Sequence, residues 1–219
     1  ASVPGYLYAV QGKDIYVNLY VQGTAEVETP AGEIILEQVT KHPWEGKIKL
    51  IVNPSVNTEF ILKLRIPGWA QDAPVPTDLY SFVNGKGEYA VTMNGKKVTG
   101  KPKNGYVNIE RTWSRGDLVE IEFPMEARQI RAHEAVADDR GKLAIQRGPV
   151  VYCIEGQDQH DHTVFNKYIP ENTLFTTRYD DQLLNGVTVL TGSAMQVGPD
   201  GTEEKVPFTA IPYATWNNR

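Results

Sequence analysis

The chain has 219 residues, with 22 basic against 27 acidic side chains and a formal net charge of -5. A body of this size buries roughly 70% of its unfolded surface without help from disulfides or a metal, and a single cysteine excludes an internal disulfide while leaving the compartment undecided. The basic residues form no block, so nucleic-acid binding has no electrostatic footprint, and the apolar runs are too short to span a membrane as a helix.

The sequence opens at Ala1 with "ASVPGYLYAVQ", without Met and without a charged-then-apolar leader. It runs almost directly into a strand, which favours an excised piece of a longer chain over a mature chain that has lost a signal segment. "DIYVNLYVQG" alternates Ile15, Val17, Leu19 and Val21 against Tyr16, Asn18 and Tyr20, a strand period. "EIILEQVT" and "KIKLIVNP" follow. In "TEFILKLRIPGW" the set Phe60, Leu62, Leu64 and Ile66 faces one way until Pro67-Gly68 stops it. "QDAPVPTD" reads as a surface loop. "AVTMNGKKVTG" sets Asn94-Gly95 between two arms, the signature of a type I′ hairpin. "NGYVNIERTW" and "DLVEIEFPM" read as a second hairpin closed by "SRGD", with Val119, Ile121 and Phe123 inward. "PMEARQIRAHEAVADDRG" breaks the rhythm, with room for one helical turn at Glu134–Asp138, and marks a boundary. "GKLAIQRGPVVYCIEG", "GVTVLTGSAMQVG" and "KVPFTAIPYATWNN" supply the last strands. About twelve strands at such spacing, with no long helix, are the pattern of sandwiches or Greek-key barrels.

Four groups of residues carry candidate chemistry. Cys153 lies in "VVYCIE" with no base or cation adjacent in sequence; a reactive thiolate needs one, so a buried strand residue is expected, although a partner from another strand stays open. His160 and His162 in "DQHDHTVF", with Asp158 and Asp161 beside them, fit zinc chemistry in principle. The only other histidines are His42 and His133 and no third ligand is evident, so a polar loop is the preferred reading. The adjacent carboxylates Asp138-Asp139, Asp180-Asp181 and Glu203-Glu204 do not face each other as glycoside hydrolysis requires and read as solvated turns. Trp44, Trp69, Trp113 and Trp216 could stack on sugar rings or fill a core; Trp44 and Trp69, at strand ends, are the ones expected at the surface.

Six stretches in order, "DIYVNLYVQGTAEV", "LKLRIPGWA", "VTMNGKKV", "GYVNIERTWSRGDLVEIEFPME", "RAHEAVADDRGKLAIQRGPVVYCIEG" and "IPYATWNNR", resemble the C-terminal part of bacterial β-L-arabinofuranosidase-type glycoside hydrolases, glycoside hydrolase family 127. The resemblance implies an upstream (α/α)6 catalytic barrel followed by β-sandwich regions, and retaining hydrolysis of β-L-arabinofuranosyl groups. It also implies a cysteine nucleophile held with other cysteines and a glutamate around zinc, including a Cys-Cys-Pro motif just before the strand that resembles "IYVNLY". This chain has no Cys-Cys pair, and Cys153 does not match the nucleophile. No catalytic, cofactor-binding or metal-ligating residue therefore carries over, and zinc is expected in the missing domain and not here.

The resulting expectation is an all-β chain of two antiparallel β-sandwich bodies, Greek-key or jelly-roll-like, spanning 1–125 and 126–219. Its role would be accessory and non-catalytic, bracing the missing helical barrel of the same polypeptide. Two alternatives stand beside it: a carbohydrate-binding module with its own aromatic sugar site, and a small complete enzyme using Cys153 or the His160–His162 loop. Carbohydrate and a second copy of the chain stay open as partners; nucleic acid and membrane do not. A periplasmic or extracellular address follows from the resemblance alone. Tyr6, Tyr8, Tyr16 and Tyr20, nearest the point of attachment, are the expected exposed patch.

Overall fold

The structure is a computed structural model that describes residues 3–30 and 32–217. Asn218 and Arg219, the end of the last resembling stretch, lie outside the described residues. In chain order the strands are β1 (Tyr8–Gln11), β2 (Asp14–Val17), β3 (Gly23–Thr29), β4 (Gly32–Thr40), β5 (Lys47–Pro54), β6 (Thr58–Arg65), β7 (Tyr80–Phe82), β8 (Ala90–Met93), β9 (Lys96–Lys97), β10 (Tyr106–Trp113), β11 (Asp117–Glu122), β12 (Ala127–Ala132), β13 (Leu143–Arg147), β14 (Val150–Cys153), β15 (Lys167–Tyr168), β16 (Thr176–Asp180), β17 (Val187–Val197) and β18 (Glu203–Pro212). Among the described residues the only helices are 3-10 turns of three or four residues. The chain is all-β.

The strands form two compact units, Ala1–Gln71 with Gly87–Pro124 and Asp72–Lys86 with Met125–Arg219. Unit 1 is a sandwich of a four-stranded sheet, β1-β2-β6-β10, and a six-stranded sheet, β3-β4-β5-β11-β8-β9. The period-two pattern of each strand explains the layering. Phe60, Leu62 and Leu64 of β6 and Ile34 and Leu36 of β4 are fully buried in one shared core with Ile48, Leu50 and Val52 of β5. Trp113 is also fully buried, stacked on Phe60 at 5.2 Å, and its Nε1 donates to the Phe60 carbonyl at 3.1 Å. The pairings are antiparallel except β2 with β6, which is parallel.

Three local readings of the sequence are corrected. β10 and β11 do not form a hairpin; β10 pairs with β6, and β11 pairs with β5 and β8, in the other sheet. The "SRGD" turn is a corner between sheets, held by the Ser114 amide on Asp117 Oδ2 (2.9 Å) and the Gly116 amide on the Val52 carbonyl (3.1 Å). The alternation that begins at Ile15 does not persist to Val21: β2 ends at Val17, Leu19 and Val21 are exposed, and Tyr20 is buried. The amides of Asn18 and Leu19 both donate to the Leu7 carbonyl. Two residues on one acceptor act as a bulge and invert the phase. The third correction is the helical turn, which falls at Ala137–Asp139.

The Asn94-Gly95 hairpin is present. It joins β8 to β9 with φ of 47° and 75°, both positive as a type I′ turn demands.

Unit 2 is one antiparallel sheet path, β15-β17-β18-β14-β13-β12-β7, with β16 on β17. Its halves meet through two residue pairs, Tyr152↔Pro212 and Cys153↔Ile211, and bury a small core of Ile145, Tyr152, Leu190, Ala194, Phe208 and Ala210. Buried glutamine side chains complete it where strands stop. Gln159 donates to the carbonyls of Glu155 and Thr209 and accepts the Thr209 amide, which mimics a ladder rung. Gln129 does the same for the loop at Pro170 and Asn172.

The first strand of unit 2 arrives early in the sequence. Residues 72–86 leave unit 1 and place β7 against β12, with Tyr80↔Ala132 and Phe82↔Ile130 in register. Arg128 of β12 fixes this segment. Its Nη1 lies 2.6 Å from Asp72 Oδ1, its guanidinium carbon sits 3.4 Å from the Phe82 ring centroid, and its stem closes over Gly85. The pair is charge-assisted and the ring contact is a cation–π interaction.

Candidate functional site

Cys153 occupies the end of β14 in unit 2 and is half-buried. Val151, two residues before it, is exposed and Tyr152 is buried, so the thiol lies on the solvent side of the strand and not in the core as expected. Burial, followed by the nearby Glu155 and Asp158 carboxylates, pushes its pKa above the ordinary thiol value. A nucleophilic thiol needs the opposite environment.

The His160–His162 loop does not converge on a metal. His162 has a left-handed φ of 55°, which breaks the extended geometry that would align both imidazoles. Asp161 is committed to Lys167, whose hydrogen bond holds the carboxyl below its ordinary pKa. Among the described residues no group of three His, Cys, Asp or Glu side chains comes together as a metal site.

The adjacent carboxylates serve local structure. Asp139 accepts the Tyr80 hydroxyl at 3.0 Å, Asp180 Oδ1 accepts the amides of Gln182 and Leu183, and Glu203 accepts the Tyr168 hydroxyl at 2.9 Å.

The aromatic residues sort differently from the expectation. Trp69 and Trp44 are half-buried. Trp69 packs edge-on to Phe123 at 5.3 Å and parallel to His42, and burial lowers the His42 pKa. The exposed tryptophan is Trp216, at 54%, and its ring plane lies within 6° of Tyr213, with centroids 6.0 Å apart. Strand-end position did not distinguish them; the 3-10 turn Tyr213–Thr215 after Pro212, which carries Trp216 outward, had no sequence signal of its own. Of the four N-terminal tyrosines only Tyr6 is exposed. Tyr8 packs on the core, Tyr16 is half-buried under Lys63, and Tyr20 donates from the interior to the Arg65 carbonyl.

Two surface features remain. In unit 1, Val3, Tyr6, Val10, Leu19 and Val21 are all exposed and lie on the N-terminal turn, β1 and the segment after β2 that the Leu7 carbonyl ties together. In unit 2 a groove of about 420 Å³ lies between the turn at Gly156–Asp158 and the C-terminal segment. Ile154, Val164, Phe165 and Trp216 give it apolar surface; Glu155, Gln157 and Asn217 give it polar groups. The Asn217 backbone amide donates to Glu155 Oε1 at 2.8 Å within this lining.

Comparison with known proteins places both units. A family model described as the GH127 middle domain of beta-L-arabinofuranosidase matches residues 14–125, and one described as the glycoside hydrolase family 127 C-terminal domain matches 127–219. A curated relative, the non-reducing end beta-L-arabinofuranosidase of Bifidobacterium longum subsp. longum, is 28% identical over 242 residues, covering 100% of this chain and 34% of the relative. The solved structure of a GH127 beta-arabinofuranosidase superposes with a TM-score of 0.94 at 37% identity, covering 100% of this chain and 35% of that one. A GH127 beta-L-arabinofuranosidase from Geobacillus stearothermophilus T6 gives 0.88 at 35% identity, covering 100% of this chain and 34% of that one. The chain thus spans about a third of the length of the relatives it matches. With both halves of the sequence matched in family order, the chain belongs to glycoside hydrolase family 127, of which it carries the middle and C-terminal domains.

Proposed function

We propose that this chain is the accessory, non-catalytic β region of a larger β-L-arabinofuranosidase-like hydrolase, and that it braces a helical catalytic barrel in the same polypeptide. The observation that carries the reading is that Val3, Tyr6, Val10, Leu19 and Val21, on the N-terminal turn, β1 and the segment after β2, are all exposed apolar side chains. Apolar surface of this kind marks contact sites, and inter-domain interfaces typically bury about 600–1,500 Å². The environment of Cys153 supports the non-catalytic half of the proposal, since burial and the neighbouring Glu155 and Asp158 carboxylates disfavour the thiolate.

The test has two arms. The chain alone is expected to release no aryl product from an aryl β-L-arabinofuranoside; release that disappears in Cys153→Ala would overturn the non-catalytic reading. Added to a separately produced helical portion of the parent enzyme, the chain is expected to raise that portion's thermal midpoint. The double substitution Tyr6→Asp with Leu19→Asp is expected to abolish the gain. If the wild-type chain leaves the midpoint unchanged, the bracing role fails.

A further inference from the structure

Phe165 is 99% exposed and Trp216 is 54% exposed, and both line the groove at the C-terminal end of unit 2. An apolar ring left wholly in water gains nothing for the fold, and the bracing role assigned to unit 1 makes no use of these two. The groove mixes apolar and aromatic side chains with polar groups in about equal measure, the composition that suits a ligand with both an apolar face and a polar edge. We propose that it binds a ring of a neutral sugar, whose apolar C–H face lies on Trp216 and Phe165 and whose hydroxyls bond to Glu155, Gln157 and Asn217.

The chemistry of the lining narrows the ligand class. Glu155 is the only ionisable side chain among the lining residues. A carboxylate only accepts hydrogen bonds, so its partner must donate, as a hydroxyl does. It also repels an anion, which disfavours phosphates and uronates. The Gln157 and Asn217 amides both donate and accept, which suits the edge of a polyol.

The wall formed by Glu155, Gly156, Trp216 and Asn217 is held before any ligand arrives. The Asn217 amide holds Glu155 Oε1 at 2.8 Å, and Tyr213 lies parallel to the Trp216 indole. At Gly156 an added Cβ would sit 2.9 Å from the His162 carbonyl oxygen, so that wall is packed to the backbone. Such preorganisation limits the entropy lost on binding. The larger cleft of about 930 Å³ along β12 and β13 lacks this character: its Arg131 is paired with Glu171, and its Lys167 with Asp161.

The test is an NMR titration of the 219-residue chain, reading the four tryptophan indole N–H signals. The probes are L-arabinose, methyl β-L-arabinofuranoside, D-galactose and D-galacturonate. At least one neutral sugar is expected to move the Trp216 signal saturably with a millimolar Kd, and the other three indoles less. In Trp216→Ala and Phe165→Ala, both at exposed positions, affinity followed by saturation-transfer from the sugar should fall at least about tenfold, as for removal of a stacking anchor. Galactose should bind better than galacturonate, and Glu155→Gln should narrow that gap. No saturable shift, undiminished binding in Trp216→Ala, or a preference for galacturonate would overturn the proposal. So would Trp216→Ala altering self-association while every titration stays silent, since the rings would then serve a protein contact. The outcome is independent of the accessory reading: a silent titration leaves bracing intact, and a failed brace leaves this site standing.

Discussion

Replacing Arg128 by Met tests how the segment 72–86 is held in unit 2. Met keeps much of the stem's volume but loses the 2.6 Å ion pair to Asp72 and the face contact with Phe82 at 3.4 Å. Hydrogen bonds to charged groups contribute about 1.5–3 kcal/mol and a desolvated cation–π contact up to about 2 kcal/mol. The Asp72 side chain is 36% exposed, so water recovers part of its carboxylate, and the low end of the first range applies. The expected local loss is about 2–3 kcal/mol. Global melting is a poor readout, because the two units need not unfold together. Amide exchange reports local opening. The Val83 amide donates to the Gln129 carbonyl at 2.9 Å, beside the β7–β12 register, and is the natural probe. At 1.4 kcal/mol per decade its exchange should accelerate roughly 30- to 150-fold. Arg128→Lys should recover less than half of this, because an ammonium has neither the planar face nor the fork. If exchange at Val83 and Phe82 is unchanged in Arg128→Met, the clamp is not what holds the segment.

Gly95→Val places a β-branched residue at φ 75° in the two-residue turn and should destabilise unit 1 by about 1–2 kcal/mol, read as an earlier urea midpoint; an unchanged midpoint refutes the turn assignment. Cys153, with its pKa raised by burial and then by Glu155 and Asp158, should react with iodoacetamide in the native chain well below the rate of the urea-unfolded chain at pH 8, and the gap should narrow as pH rises through the elevated pKa. Equal native and unfolded rates at pH 8 would show the thiolate to be free.

The strands with strict alternation were legible. Phe60, Leu62, Leu64 and Ile66 point inward as their spacing requires, and Asn94-Gly95 turns as its chemistry requires. What the pattern could not carry was pairing. β10 and β11 are adjacent in sequence and belong to different sheets, a choice made by long-range burial and not by the three residues between them. The inversion at Asn18 was also hidden, since it depends on one distant carbonyl, that of Leu7. β7 and β15 are three and two residues long, too short for any period to register. Among site residues, the order and spacing of six stretches pointed to the family, while the exposure of Trp216 depended on a turn whose sequence, Tyr213–Thr215, has no distinguishing signal.

The visit that residues 72–86 pay to unit 2 has a consequence for domain exchange and truncation. The family boundary falls between 125 and 127, yet the compact units are not separable there. A cut at that point leaves the first fragment carrying a strand with nothing to pair with. It leaves the second with the edge of β12 open at Ile130, where Phe82 belongs. An open edge invites foreign strands. Exchange of one domain for a homologue's therefore also has to match β7 to a new β12.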